Sequence, residues 1–202
     1  MKLALFDFDG TVTTKNSVVF FILYMAGIRK FLLGSLYLGP FFLLYILGII
    51  SNHFIKETAF KYFFKGWDVD DFNMRAKSFV VVQIPVILRA KGIERIKWHK
   101  QQGHKVVIVS ASIPNYLGVW CKDENIEMTA TELEVKDNKI TGRLAGKNCY
   151  GIEKANLIKQ KYNLDDFDYI YGYGNSRGDL NMLSIVDEAY YKGKAYKKLK
   201  GE

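Results

Sequence analysis

The sequence predicts an α/β fold in which a parallel sheet carries helices on both faces and a helical insertion follows the first strand. Three short apolar segments, residues 3–6, 105–109 and 167–171, have the composition of buried parallel strands. Helical patterns alternate with the later strands, whereas a long helical stretch separates the first strand from the rest. We therefore expect residues 1–13 and 86–202 to form the α/β core and residues 14–85 to form an inserted cap.

Composition limits the class of protein. The chain has 202 residues, of which 49% are hydrophobic and 15% aromatic, which excludes a disordered chain. Its net charge of +8 favours an acidic partner, either an anionic substrate or a membrane surface, and no motif indicates nucleic acid. Cys121 and Cys149 lack metal-type spacing and are expected to be reduced in the cytoplasm. Asp7 and Asp9 interrupt the apolar start, so we expect no signal peptide.

The first strand ends in two acids. Asp7 and Asp9 follow residues 3–6 directly, and Gly10 and Thr11 come next. Residues at i and i+2 of an extended segment point to the same side, so both carboxylates are expected at one site. The carboxyl ends of parallel strands are where open α/β sheets bind ligands. An ordinary Asp-Gly turn is the alternative interpretation.

The insertion begins with a helix and an uncharged run. We expect Ser17 to cap a helix that ends at Gly27. No charged residue then occurs in residues 31–52, and Gly39 and Pro40 are expected to split this run. A cap of packed helices, a helical hairpin docked into one membrane leaflet, and a single membrane crossing remain open. A crossing would separate Asp7 from groups after the insertion. Residues 55–82 predict amphipathic helices with core aromatics, broken near residues 66–68.

The next strand also ends in small polar residues. Residues 86–102 predict an outer helix, and surface or capping roles are expected for His99, His104 and His53. The strand at residues 105–109 leads into Ser110, Ala111 and a helix at residues 113–123. A helix N-terminus together with a hydroxyl can bind an anion.

The last third of the chain repeats this pattern. Residues 128–144 predict a hairpin, and residues 151–162 a helix with Lys154 in its first turn. The strand at residues 167–171 enters a glycine-rich loop that contains Asn175 and Asp179, followed by a helix at 180–186. The lysine-rich segment 190–202 is expected either to be solvated or to attract anionic lipid.

These four element ends occur in an order that resembles a known family. Residues 7–11, 109–112, 151–154 and 174–179 resemble the four motifs of the haloacid-dehalogenase superfamily, in its phosphoserine-phosphatase-like branch. The resemblance covers residues 1–13 and about 86–192, and residues 141–151 are similar as well. It implies a Rossmann-like core sheet under a helical cap.

The resemblance implies a phosphatase mechanism. Asp7 would be the nucleophile that forms an aspartyl-phosphate, and Asp9 would protonate the leaving group and then activate water. Lys154 would offset negative charge on Asp7 and on the phosphoryl group. The implied phosphate-binding set is Gly10, Thr11, Ser110 and Ala111.

The resemblance also implies Mg²⁺. Its ligands would be the Asp7 carboxylate, the Asp9 backbone carbonyl, and Asn175 and Asp179 in the last loop. The family usually has Asp at position 175, so the change to Asn removes one negative charge from the site.

The insertion bears on the substrate. Phosphoserine phosphatases have a Glu where this chain has Asn16, which disfavours phosphoserine. The apolar insertion favours a lipid-linked or otherwise amphiphilic phosphate ester at the inner membrane face. It is similar in character to the hydrophobic caps of bacterial phosphatases that act on phosphatidylglycerophosphate. A small-metabolite phosphatase and a non-catalytic phosphate-binding protein are the alternatives, and the sequence does not indicate the oligomeric state.

Overall fold

The central sheet has six strands in the computed structural model, which describes residues 1–197. The strands of the chain are β1 (Lys2–Phe6), β2 (Lys105–Ser110), β3 (Glu127–Ala130), β4 (Leu133–Lys136), β5 (Lys139–Leu144), β6 (Tyr169–Gly174), β7 (Glu188–Tyr191) and β8 (Lys194–Tyr196). The sheet order is β3-β2-β1-β6-β7-β8, and every neighbouring pair is parallel except β7 and β8. The predicted α/β fold is confirmed.

Helices surround this sheet and form the insertion. They are α1 (Ser17–Ile46), α2 (Asn52–Phe64), α3 (Val69–Val82), α4 (Ile84–Ile87), α5 (Ala90–Gln101), α6 (Pro114–Asp123), α7 (Ile152–Lys161) and α8 (Leu180–Ser184). The first four lie between β1 and α5, so the helical insertion is present where the sequence predicted it.

The central strand β1 separates two hydrophobic cores. Ala4 and Phe6 belong to the core that includes side chains of α5 and α6, whereas Leu3 and Leu5 belong to the core that includes α7 and α8. This division follows from the alternation of side chains along a strand. Complete burial of each leucine contributes about 1.5–3 kcal/mol. A strand buried on both faces is held rigidly, and so is the residue that follows it.

Aromatic packing joins the insertion to the core. Phe21 of α1 lies with its ring centroid 5.5 Å from that of Phe72, 5.2 Å from that of Phe79 and 4.9 Å from that of Tyr116 in α6. All four side chains are buried, as predicted for the aromatics of this region. The hairpin β4–β5 packs against α2, where a Cβ at Gly142 would lie 2.5 Å from Lys61 Cα.

Helix α1 is bent at Gly27 and continues through Pro40. Gly27 has φ 73° and ψ 162°, so the helix is interrupted where its end was predicted. The prediction of a second break at Gly39 and Pro40 was wrong. Proline removes the hydrogen bond to the carbonyl four residues earlier, which belongs to Leu36. Leu36 is 79% exposed, so this carbonyl lies on a face that solvent reaches.

Three other boundaries differ from the prediction. Residues 127–130 are not part of a hairpin but form β3, because they pair in parallel with β2. The outer helix is broken between α4 and α5. Part of β7 and all of β8 fall in the lysine-rich segment, where no strand was predicted. Its described lysines, Lys192, Lys194 and Lys197, are exposed, which agrees with the predicted solvated end, and Lys198 and Lys200 lie outside the described residues.

His99 is buried, contrary to the predicted surface position. Its Nδ1 lies 2.8 Å from Nδ1 of His104, and its Nε2 lies 2.9 Å from the Tyr173 hydroxyl. Burial lowers its pKa to about 3, and His104 and Arg95 add to this effect. The ring is therefore neutral and forms part of the packing between α5 and the sheet. Cys121 and Cys149 are free thiols, as predicted.

Candidate active site

A buried lysine joins the first and last motifs. Lys154 Nζ lies 2.6 Å from Asp7 Oδ1 and 2.6 Å from Asp179 Oδ1. Asp7 follows β1 directly, Lys154 lies in the first turn of α7, and Asp179 follows the β6 loop. All three side chains are almost fully buried. The fold thus brings together three residues that are far apart in the chain, as the sequence predicted.

This cluster contains two carboxylates and one cation. Burial raises the pKa of Asp7 to about 7, although the Lys154 ammonium acts in the opposite direction. Burial alone would also raise the pKa of Asp179, but Lys154 and backbone N–H groups outweigh it and lower that pKa. Burial opposes the charge of Lys154, yet the two acids raise its pKa above the ordinary value. Lys154 therefore stays protonated and stabilises negative charge at Asp7.

Asp9 is oriented by two donors from different elements. Its Oδ1 accepts a hydrogen bond from Ser17 N at 2.5 Å, and its Oδ2 accepts one from Ser112 Oγ at 2.6 Å. Ser17 is thus in the first turn of α1 rather than its cap. The cap is Asn16, whose Oδ1 accepts from Val19 N at 3.1 Å. The start of the insertion therefore contacts the second acid of the first motif.

The loop after β2 lies beside both acids. Ser110 is buried at the end of β2, and its Oγ accepts a hydrogen bond from Ser112 N at 3.0 Å. Ser17 Oγ lies 3.2 Å from Ser112 Oγ. Helix α6 begins just after this loop, so the positive end of its dipole is near Ser110 and Ala111. A hydroxyl and a helix N-terminus are thus close together at this loop, and phosphate binding by Ser110 and Ala111 stays a prediction.

The last loop presents one polar atom without a partner. Asn175 Oδ1 is buried and accepts no hydrogen bond from residues 1–197. Its amide packs against Gly10, where a Cβ would lie 1.9 Å from Asn175 Nδ2. Gly10 also has φ +82°, a conformation that glycine adopts readily. An orphaned buried carbonyl oxygen beside the first motif is the donor that a hard cation requires.

Asp179 is engaged differently from Asn175. One of its oxygens binds Lys154, and the other accepts hydrogen bonds from Asn175 N, Ser176 N and Ser176 Oγ at 2.8–3.0 Å. It therefore holds the loop and the lysine. Within residues 1–197 there is no metal-type group of three His, Cys, Asp or Glu side chains. A metal here would depend on amide and backbone oxygens as well as on carboxylate.

Gly10 and Thr11, the other two predicted phosphate-binding residues, contact the first motif itself. Thr11 Oγ1 donates to Asp7 Oδ2 at 3.2 Å, and Gly10 N donates to Thr13 Oγ1 at 3.1 Å. Arg89, which the sequence placed on an outer helix, donates to the carbonyls of Gly10 and Thr13 at 3.1 and 3.4 Å. These bonds stabilise the turn that follows the two acids.

Sequence reasoning missed Lys56 in the insertion. Its Nζ donates to Ala111 O at 2.5 Å and to Asn148 Oδ1 at 2.7 Å, so helix α2 brings a cation to the loop after β2. Burial lowers its pKa to about 7, and the charge of Asp9 acts in the opposite direction. Its one signal in the sequence is that it is the first lysine after the uncharged run.

Comparisons with known proteins agree with this geometry. The family model of haloacid dehalogenase-like hydrolases matches residues 4–184. Protein CicA of Caulobacter vibrioides is 31% identical over 192 residues, which cover 94% of this chain and 85% of that protein. A probable phosphatase of Mycobacterium tuberculosis is 29% identical over 198 residues, covering 92% of this chain and 67% of that protein.

A solved structure has the same fold. The substrate-bound complex of a phosphoserine phosphatase matches with a TM-score of 0.69 at 18% identity, covering 94% of this chain and 85% of the other. Together, the family match, this fold and the probable phosphatase support the prediction of a phosphatase. The chain belongs to the haloacid dehalogenase-like hydrolase family.

Proposed function

We propose that the protein is a Mg²⁺-dependent phosphomonoester hydrolase that forms an aspartyl-phosphate on Asp7. The observation that carries this proposal is the contact of Lys154 with both Asp7 and Asp179 beside the Ser110 loop. These residues together provide a nucleophile, a fixed positive charge and an anion site at the carboxyl ends of the parallel strands. A protein that only bound phosphate would not require the buried carboxylate Asp7 in that site, because two like charges repel.

The donor set fits a magnesium ion. The Asp7 carboxylate, the Asp9 backbone carbonyl and Asn175 Oδ1 are the groups that would hold it, and water would complete an octahedral shell. Asp179 is less suitable because Lys154 occupies one of its oxygens and three donors occupy the other, whereas Asp7 Oδ2 accepts a single long hydrogen bond, from Thr11. When bound, Mg²⁺ supplies positive charge that stabilises the transferring phosphoryl group.

The two acids then have separate tasks. Asp7 attacks phosphorus, the bond to the leaving oxygen breaks, and Asp9 gives that oxygen its proton. In the second step Asp9 takes a proton from water, the water oxygen attacks phosphorus, and Asp7 is released with inorganic phosphate. Ser17 N and Ser112 Oγ keep the Asp9 carboxylate in place for both transfers. Lys154 and the Ser110 loop hold the phosphoryl oxygens.

A cleft between insertion and core offers room for the leaving group. It has a volume of about 420 Å³ and is lined in part by Tyr45, Ile50, Asn52 and Asn148. Lys56 Nζ donates one hydrogen bond to Asn148 Oδ1 in this cleft and another to Ala111 O. The cleft therefore adjoins the loop after β2. Its lining surface is more apolar than polar. This favours an amphiphilic ester over a small zwitterion.

The outer surface of the insertion favours a lipid setting. Large apolar side chains of α1 and of the turn after it are more than half exposed: Ile28, Leu32, Leu33, Leu36, Tyr37, Phe42, Leu43, Ile46, Leu47 and Ile49. A helix that exposes so many apolar side chains, on a chain of net charge +8, is suited to an anionic bilayer. Among residues 1–197, α1 is the one helix with the length and composition to cross a membrane.

Docking on one leaflet agrees better with the site than a crossing does. Ser17 at the start of α1 contacts Ser112, and Lys56 after α1 contacts Ala111, so the chain returns to the same loop. We propose that the protein binds peripherally to the inner face of the cytoplasmic membrane and hydrolyses an amphiphilic phosphate ester there. Asn16 also disfavours phosphoserine as the substrate, because its side chain is used to cap α1.

Two measurements test this proposal. Hydrolysis of p-nitrophenyl phosphate should require Mg²⁺ and should be lost in Asp7→Asn; turnover without metal, or none in the wild type, would favour a binding protein. A screen of purified enzyme across phosphate esters, including phosphatidylglycerophosphate and phosphoserine, should show preference for the amphiphilic ones. Preference for small soluble esters would support the small-metabolite alternative.

Vesicle flotation tests the membrane contact separately. The triple variant Leu36→Gln, Leu43→Gln, Leu47→Gln should lose binding to vesicles that contain phosphatidylglycerol. The matched control replaces exposed apolar residues elsewhere, namely Met74, Val135 and Ile152, and should bind like the wild type. Absence of wild-type binding, or equal loss in both variants, would contradict docking through α1.

A further inference from the structure

A second cleft lies on the side of the first motif where Arg89 binds it. Its volume is about 600 Å³, and Gly10, Thr11 and Asn175 form part of its wall. Gly10 and Thr11 are the two residues that it shares with the predicted phosphate-binding set, whereas Ser110, Ala111 and Lys154 do not line it. A volume of this size is typical of small-molecule sites.

The cleft is lined by five cations and by no acid: Arg89, Lys91, Arg95, Lys192 and Lys194. Within residues 1–197, none of these five side chains forms an ion pair. Like charges gathered around one concave surface raise its potential and attract an anion of high charge. The first turn of α5 also borders the cleft, and the positive end of its helix dipole adds to the positive potential.

Both arginines are held in place before any ligand binds. The Arg95 guanidinium lies 5.9 Å from the ring centroid of Tyr173 and 5.6 Å from that of Tyr190. Arg89 is fixed by its hydrogen bonds to Gly10 O and Thr13 O. A guanidinium that is already ordered loses less freedom when it binds a phosphate group, and it can do so with two parallel hydrogen bonds.

The lysines are placed to complete the site. Lys192 and Lys194 lie at the turn between β7 and β8, and Lys192 N donates to Gly174 O at 2.9 Å. That bond connects the turn to the loop that carries Asn175. The lysine side chains are exposed and can adjust to ligands of different length.

We propose that this basic cleft is a second binding site, which takes an anion with two or more phosphate groups. The anion would be either a soluble polyphosphorylated molecule or the phosphorylated headgroup of a lipid. Binding to this cleft does not depend on the hydrolytic function proposed above. The two can therefore fail separately.

Tripolyphosphate in metal-free buffer of low ionic strength is the first probe. Nuclear magnetic resonance should show the amide signals of Lys91, Lys192 and Gly193 shifting together, along a curve different from that of Ser110. Low salt is required because screening weakens such contacts. Signals that shift only around Ser110, or no saturation at millimolar probe, would overturn the proposal.

Removing lysine charges from the cleft tests whether these side chains bind the anion. The variant Lys91→Gln, Lys192→Gln, Lys194→Gln should bind tripolyphosphate at least about tenfold more weakly by calorimetry. The control removes the same charge from exposed lysines outside the cleft, Lys122, Lys136 and Lys159, and should stay within about threefold of the wild type. Equal weakening in both variants would show attraction by net charge alone and would contradict a site.

Vesicles distinguish the two sources of the anion. If the ligand is a headgroup, the cleft variant should lose binding to vesicles that contain phosphatidylinositol bisphosphate but keep binding to phosphatidylglycerol vesicles. If the ligand is soluble, both kinds of vesicle should bind as before while tripolyphosphate binding falls. Tripolyphosphate binding by the cleft variant as tight as that of the wild type would refute both forms of the proposal.

Discussion

Gly10 and Asn175 approach each other so closely that a Cβ on Gly10 would lie 1.9 Å from Asn175 Nδ2. The turn after the two acids is thereby matched to the loop that presents the orphaned Asn175 Oδ1. Because this oxygen is the proposed amide ligand of Mg²⁺, the contact connects a backbone requirement to metal binding.

We expect Gly10→Ala to impair metal use more than folding. The new methyl group must displace Asn175, and the concentration of Mg²⁺ needed for half-maximal activity should rise by about 10–100-fold. Gly27→Ala is a matched control, because Gly27 has φ +73° and a Cβ there would meet no packed neighbour within 4 Å. Backbone strain at positive φ should cost each variant about 1–3 kcal/mol of unfolding free energy, and the contact with Asn175 adds to this cost in Gly10→Ala. Equal Mg²⁺ requirements in the two would contradict the proposed role of Asn175.

Asn175→Asp should restore the charge that the family usually has at this position. A carboxylate attracts Mg²⁺ more strongly than an amide, so half-maximal activity should need about tenfold less metal. Asn175→Ala should need more metal than the wild type. A Mg²⁺ titration of hydrolysis measures both, and an unchanged requirement in all three proteins would place the metal elsewhere.

Lys56 should contribute to catalysis through its charge. Lys56→Met should lower kcat/KM by about 10–100-fold, the loss expected for a hydrogen bond to a charged group. Lys56→Arg should retain more activity. Lys61→Met is the control on the same helix, since Lys61 pairs with Glu57 outside the site.

The pKa of Lys56, lowered to about 7 by burial, gives this contribution a pH dependence. The amine is charged below that value, so its contribution to kcat/KM should fall as the pH rises through about 7. In Lys56→Arg the decline should be absent, because arginine remains charged. If kcat/KM of Lys56→Met fell with pH in the same way, the decline would arise from the titration of another group.

His99 should make stability depend on pH. Its pKa falls from 6.5 to about 3 in the folded protein, so below pH 6.5 the unfolded chain binds a proton that the folded one does not. The His99 contribution is therefore complete above pH 6.5 and is lost as the pH falls, at up to about 1.4 kcal/mol per pH unit.

Denaturant unfolding of wild type and His99→Gln from pH 7 to pH 5 measures this effect. The difference in unfolding free energy between the two proteins should shrink towards pH 5. Titrating groups away from the ring cancel in the comparison, and His104, which contacts it, is removed by making the same comparison in a His104→Gln background. A constant difference for His99→Gln would mean that the ring accepts a proton without unfolding.

The positions of Asp7, Ser110 and Asn175 could be predicted because each lies at or just after the end of an apolar strand, whereas Lys154 is indicated only by the resemblance of residues 151–154 to a family motif. An apolar strand followed by a polar loop predicts that the loop lies at the carboxyl end of the strand. Parallel pairing then brings the carboxyl ends of neighbouring strands together. The residues that contribute through long-range packing could not be found in this way. Lys56 differs from other lysines in the sequence only after α2 has packed onto the loop that contains Ala111.

The errors in the predicted fold have related causes. Pro40 predicts a helix break on local grounds. The Leu36 carbonyl, which loses its helical hydrogen bond to Pro40, lies on an exposed face, so α1 continues. His99 has no sequence neighbour that marks it as buried; its partners Tyr173 and His104 come from β6 and the loop before β2. Pairing between β7 and β8 likewise forms strands in the lysine-rich segment, for which composition alone predicts none, while its described lysines stay exposed.

The most direct test of the central claim is to trap the phosphoryl group on Asp7. Acid quenching of the enzyme during turnover of a labelled phosphate ester, followed by peptide mass spectrometry, should find one added phosphoryl group on the peptide that contains Asp7. The label should be absent in Asp7→Asn. Steady turnover with no label on Asp7 at any quench time, or label on a different residue, would contradict the account.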